Sequence, residues 1–280
     1  MKTTLLHPLA LVLLSAIPES GTAAGVDVWT VDEMQRVMRS DPPGSDHSTA
    51  IQAARGEWES FQVVVRGDTE DIDLVEIVAH PAVQAQSGAA LPPPMVFREH
   101  YVRVSSSTPM SSLPKGDYPD ALLPMDMPSL SVNPPEGVCN QPFWVDVFVP
   151  YPSPAGLYKG NIEVTVRGQE HPIFVDYSVE VWDIDLPVVP RLRTSFGLTW
   201  RRIAEVHGFD RDAADPTPEF ADLIDQYATL LAEHRLSVDQ IESTYPDGST
   251  GEMDKPAIER AMRDHLLHRR ASTLGLPPTG

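Results

Sequence analysis

A chain of 280 residues with 41% apolar composition is long and apolar enough to bury one large core or two ordinary ones, which excludes a disordered chain. Its formal net charge of −19 argues against nucleic acid, whose phosphates need a basic face to displace their counterions, and equally against an anionic membrane surface. The single cysteine, Cys139, rules out an internal disulfide, so stability must come from burial.

The first 24 residues read as a leader. Lys2 supplies a positive start, residues 9–17 form an apolar run too short to span a bilayer, and Thr22, Ala23 and Ala24 are the small residues a signal peptidase accepts. The expectation is an exported protein, periplasmic or secreted, cleaved before Gly25, with no membrane span in the mature chain. Residues 26–28 start like a strand, and a helical turn is expected around residues 32–38.

From residue 50 the pattern sharpens. Phe61, Val63 and Val65 take one face of a strand and Ser60, Gln62, Val64 and Arg66 the other, ended by Gly67 and Asp68. Further strands are expected at 74–79 and 96–105. Residues 106–141, rich in Pro, Ser and Met, read as a long loop, either functional or packed against another part of the chain. Strict alternation returns at 143–149 (Phe143, Val145, Val147, Val149), at 158–166 (Tyr158, Ile162, Val164, Val166) and at 173–181 (Ile173, Val175, Tyr177, Val179, Val181). About seven short strands separated by turn signals, with no internal repeat, make a β-sandwich over residues 25–187.

Pro187 and Pro190 break the ladder, and the grammar changes. Pro218 opens a helix carrying Phe220, Leu223, Ile224, Tyr227, Leu230 and Leu231, with Asp215 or Thr217 as N-cap. A strand is expected over 236–245, and Asp254 with Pro256 opens a second helix carrying Ile258, Met262 and Leu266. Strand, helix, strand, helix reads as α/β. Since a barrel of eight such units needs about 250 residues, residues 188–280 hold only its start. The fold class is therefore mainly β, an N-terminal β-sandwich followed by an incomplete (β/α)8 barrel.

Local catalytic signatures are missing: no GxSxG elbow, HExxH helix, GxxxxGK loop or paired cysteines. No cofactor and no metal are expected, because His265 and His268 lack a third ligand and read as helix surface. Glu57 and Glu59 flank Trp58 and point the same way on a strand, either as an acid–base pair or as a solvent-facing edge. His234 and Arg235 suit a helix C-terminus. Trp200 follows the first strand of the α/β part, where a barrel places its active face and where an indole can stack on a sugar; it reads equally as core between the two domains.

Five blocks, ARGEWESFQVV (54–64), GDYPDALLP (116–124), FWVDV (143–147), VP (149–150) and AGLYKG (155–160), resemble in order and spacing the N-terminal region of glycoside hydrolase family 123 and its uncharacterised relatives. The resemblance covers residues 26–245. It implies an N-terminal β-sandwich followed by a (β/α)8 barrel. For characterised members it also implies retaining hydrolysis of β-linked N-acetylgalactosamine, with the substrate's acetamido oxygen as nucleophile and an adjacent Asp-Glu pair on a later barrel strand. No catalytic residue transfers to this chain: Asp183 and Asp185 lie between the domains, Glu242 would lack an aligned substrate, and the tail from 274 to 280 departs from the family, as a truncated or frame-shifted reading frame would. Two functions are expected. One is an N-terminal fragment of an exported glycoside-hydrolase-like protein, inactive alone, with Trp200 as its only candidate substrate contact. The other is a non-catalytic exported sandwich module that binds carbohydrate or a partner protein. The oligomeric state is left open.

Overall fold

The computed structural model describes residues 25–67, 74–108, 110–125, 140–166, 170–210, 217–238 and 255–273. The leader with its cleavage point, Cys139, Asp215, Asp254, residues 239–245 with Glu242, and the 274–280 tail lie outside them.

Ten strands form two sheets among the described residues. The first sheet runs β1 (Val26–Asp32), β3 (Glu57–Gly67), β8 (Asn140–Val149), β6 (Met95–Val104), β7 (Gly116–Pro124), antiparallel throughout. The second runs β2 (Ser48–Arg55), β10 (Ile173–Asp185), β9 (Gly156–Val166), β4 (Leu74–Ala79), with the short β5 (Val83–Gln84) also on β9. Only β2 and β10 pair in parallel. The expected alternation fills the space between the sheets: Phe61, Val63 and Val65 of β3 and the odd residues Phe143–Val149 of β8 meet Tyr158, Ile162 and Val164 of β9 and Val175, Tyr177 and Val179 of β10 in one buried cluster. Gly160 makes room for it, since a Cβ there would lie 2.6 Å from the Tyr177 ring. Gly56, at φ +82°, turns the chain from β2 into β3 where a Cβ would strike Tyr151.

Three expectations are corrected. Residues 32–38 form turns and not a helical turn, because their carbonyls are taken by side chains of the first sheet. Gln62 donates to Asp32 and Gln35 (2.9 and 2.7 Å), Asn140 to Met38 (2.9 Å) and Tyr101 to Val37 (2.9 Å). This segment roofs the outer face of the first sheet, which is why β8 is buried on both sides. Residues 106–141 are not one long loop: they contain β7, paired with β6 along its length around a bulge at Asp120. As an edge strand β7 needs no apolar alternation and tolerates Pro119 and Pro124. The strand count is also larger than expected, by β2, β5 and β7.

Beyond Pro190 the chain makes helix α1 (Trp200–His207), helix α2 (Pro218–Glu233) and helix α3 (Lys255–Arg263), the last running on into a π-helical turn, Asp264–His268. Thr217 caps α2, accepting from the Phe220 N–H at 3.3 Å, with Pro218 in the first turn. Phe220 and Ile224 of α2 pack on Ala204 of α1. The expected strand at 236–245 contributes one parallel bridge within the described residues, Phe196 with Val238. Hydroxyls tie the neighbouring segments: the Ser237 N–H donates to Thr194 Oγ1 (2.8 Å), the Ser272 N–H to Ser237 Oγ (2.9 Å) and Thr273 Oγ1 to the Thr194 carbonyl.

Candidate functional site

Trp200 opens α1, four residues after the bridge residue Phe196, and so stands where a parallel segment ends. Its ring packs, half-buried, against the cluster of Ala204, Phe220 and Ile224, and its indole Nε1 is buried without a hydrogen-bond partner. An indole N–H buried this way normally has an acceptor. The side chain is thus part of the α1–α2 contact rather than a plug between the sandwich and the helices.

That second role falls to Trp58, His234 and Arg235, which the sequence did not join. Trp58, on the outer face of β3, tilts against Phe148 (ring centroids 4.8 Å) and stacks on His234 at the end of α2 (5.2 Å). Arg235, held at φ 64° after the helix, donates to the Pro187 carbonyl at 3.0 Å. Around these groups lies a cleft of about 610 Å³ lined by Trp58, Phe148, Tyr151, Asp225, Arg269 and Arg270 among others. Its charges answer one another. Arg269 pairs with Asp225 and with Asp264 (3.1 Å), and His268 Nδ1 meets Asp264 at 2.7 Å. His268 is exposed surface, as expected, whereas His265 is 1% exposed and points Nε2 at the Thr273 carbonyl (3.1 Å), leaving Nδ1 unpartnered. Burial lowers its pKa. No three metal-ligating side chains converge among the described residues.

Glu57 and Glu59 do share a face of β3, the one that continues inward as Phe61. Glu57 is used structurally: its carboxylate accepts from the Ala54 N–H at 2.7 Å across the Gly56 turn. Glu59 is pushed up to about 7, first by burial and then by the charges of Glu57 and Glu33. A second carboxyl, Glu99 on β6, is 6% exposed with one oxygen unpartnered, and burial alone pushes it to about 7. Asp183 and Asp185 bind Arg55, the former at 3.0 Å, and fasten β10 to the β2–β3 turn.

No protein-family model and no curated protein sequence matches the chain. Among solved structures, a family 123 glycoside hydrolase from Clostridium perfringens, described in connection with glycolipid glycan hydrolysis, superposes with TM-score 0.63 and 14% identity over 87% of this chain and 46% of its own. The chain therefore spans about half the length of that enzyme. The CooA pilin subunit of enterotoxigenic Escherichia coli (16% identity, TM-score 0.30, 58% of this chain and 99% of that one) and the GspB Siglec domain (9%, 0.25, 79% and 82%) fit too loosely to bear on the fold. What the comparisons establish is a distant structural relationship to a family 123 glycoside hydrolase, on a mainly β scaffold of two sheets.

Proposed function

We propose that this chain is the N-terminal part of an exported glycoside-hydrolase-like protein, in which a sandwich over residues 25–187 supports a carbohydrate-active barrel begun by residues 188–280. The observation that carries it is the shared fold over 87% of this chain against 46% of the family 123 enzyme. In this reading residues 1–24 are a leader removed on export, and Trp200 offers sugar-stacking surface at the end of the first barrel strand. Acid catalysis and acetamide positioning come from an Asp-Glu pair on a strand outside this chain. The chain alone then turns nothing over, since a group misplaced by about 1 Å already costs roughly a hundredfold in rate.

The test joins reading to assay. The coding sequence beyond codon 280, in frame or shifted by one base, should specify further βα units with Asp-Glu at a strand end. The joined product should hydrolyse aryl β-N-acetylgalactosaminide while residues 25–280 do not. Turnover by residues 25–280 that vanishes on replacing one of their own acidic residues would overturn the proposal. A second reading, a non-catalytic sandwich module that binds carbohydrate, is favoured by one observation: the outer face of the second sheet is open and carries exposed aromatic rings.

A further inference from the structure

On β10 the residues that face away from the core are Phe174, Asp176, Ser178, Glu180 and Trp182, because Val175, Tyr177, Val179 and Val181 between them are buried. Phe174 is 51% exposed and Trp182 43%, and Leu157 on the neighbouring β9 is 50% exposed. Eight residues apart on one strand, at about 3.3 Å per residue, the two rings stand roughly 26 Å apart along the sheet. Near the Phe174 end of this face lies a groove of about 570 Å³, walled by β2, β9 and β10 at residues 48–50, 159–161 and 176–178 and made deep by the small Ala50.

The polar side chains of this groove are unspent. Elsewhere on the same face Gln52 donates to Glu180 at 2.8 Å and His80 meets Glu163 at 3.1 Å. In the groove, Ser48, Lys159, Asp176 and Ser178 direct their side chains to no hydrogen-bond or ion-pair partner among the described residues. Asn161, which also lines it, buries its carboxamide oxygen without a partner. Hydroxyl, ammonium and carboxylate groups thus stand together on three strands, uncommitted, with Phe174 next to them and Trp182 further along the same face of β10, beyond the Gln52–Glu180 bond.

We propose that this face of the sheet binds a hexopyranose oligosaccharide, with sugar rings stacked on Trp182 and Phe174 and hydroxyls bonded to Lys159, Asp176 and Ser178 in the groove. The chemistry selects this class. Aromatic faces take the apolar faces of sugar rings, and a few fixed polar groups of both kinds orient their hydroxyls. An anionic ligand would need an excess of cations, but in the groove the one ammonium, Lys159, is offset by the one carboxylate, Asp176. A lipid chain would need a continuous apolar floor, which the polar row interrupts. The spacing of the rings asks for an oligomer and not a single sugar. The assignment rests on the sandwich-module reading and needs no barrel.

Isothermal titration calorimetry of residues 25–280 with the hexamer of β-1,4-linked N-acetylglucosamine, with cellohexaose and with the two monosaccharides tests it. One hexamer should bind at least about tenfold more tightly than its monosaccharide, and Trp182→Ala should weaken it by about tenfold. Ser178→Arg, which fills the groove from a position on the outer face, should abolish binding with the thermal midpoint unchanged. Binding by neither hexamer, or undiminished binding by Ser178→Arg, overturns the assignment. So does loss of binding in Trp200→Ala with Trp182→Ala unaffected, which places the sugar contact on α1. Hydrolysis of aryl glycosides is indifferent to all of these outcomes, so the two proposals fail separately.

Discussion

Glu99 and Glu59 reach the same displaced pKa by different routes, and the difference can be measured. Both are pushed up to about 7, Glu99 by burial alone and Glu59 by burial together with Glu57 and Glu33. In the unfolded chain each titrates near its ordinary value, about 4.3. Between that value and 7 the folded state therefore holds the proton that the unfolded state has released. Stability falls as pH rises through this window and is flat above it. Glu99→Gln, which keeps the shape and removes the charge, should flatten part of that slope and raise the unfolding free energy at pH 8 by on the order of 2 kcal/mol. Glu59→Gln should act in the same direction, with the share owed to Glu57 and Glu33 fading in high salt. Urea unfolding at pH 5 and pH 8 checks both; a Glu99→Gln protein with wild-type pH dependence would show that this carboxyl ionises freely in the fold.

Among the elements, the strands draw on a shared core while α2 draws on a small one. Its buried face is Phe220, Ile224 and Ala228, and its start depends on the Thr217 hydroxyl. Thr217→Ala should cost α2 about 1 kcal/mol of local stability, read as faster hydrogen exchange at amides 220–228 with those of β8 unchanged. Loss of protection in β8 as well would mean that helix and sandwich unfold as one unit. The same contrast explains what could be read in the sequence. Strands β3, β8, β9 and β10 bury one face each between the sheets, so period-two alternation announced Phe61, Val145, Ile162 and Val179 as core. No such pressure acts on β7, which lies at an edge, nor on residues 32–38, whose conformation is set by Gln62, Asn140 and Tyr101 from distant strands. The sheet groove was illegible for the same reason. It exists because β2 lies parallel beside β10, more than a hundred residues away, and no local pattern encodes that neighbour. Trp200 was legible as a residue of interest, but its packing against Phe220 is again a long-range fact.

At the scale of the whole molecule the question is which part carries the stability. The sandwich closes its core between its own two sheets, from Val26 to Val181, without using any residue beyond β10. Among the described residues the helical part buries Ala204, Phe220 and Ile224 in its cluster, joins its strand segments through one bridge and through Thr194, Ser237 and Ser272, and leaves Leu192 and Phe196 exposed. Among the described residues its polar and ring contacts with the sandwich include His234 on Trp58 and Arg235 on the Pro187 carbonyl. A parallel sheet is stable when both faces and both edges are covered, and the one bridge among the described residues of this part meets neither condition. Residues 25–187 expressed alone should therefore fold, with a thermal midpoint within a few degrees of the 25–280 protein, and limited proteolysis of the latter should stop near Pro187 and Pro190. His234→Ala should hasten that cleavage by freeing α2 from Trp58, while the midpoint of the sandwich stays put. Should residues 25–187 prove unfolded, or the helices resist protease as long as β8 does, the sandwich would depend on the part that follows it, and the support would run in the opposite direction.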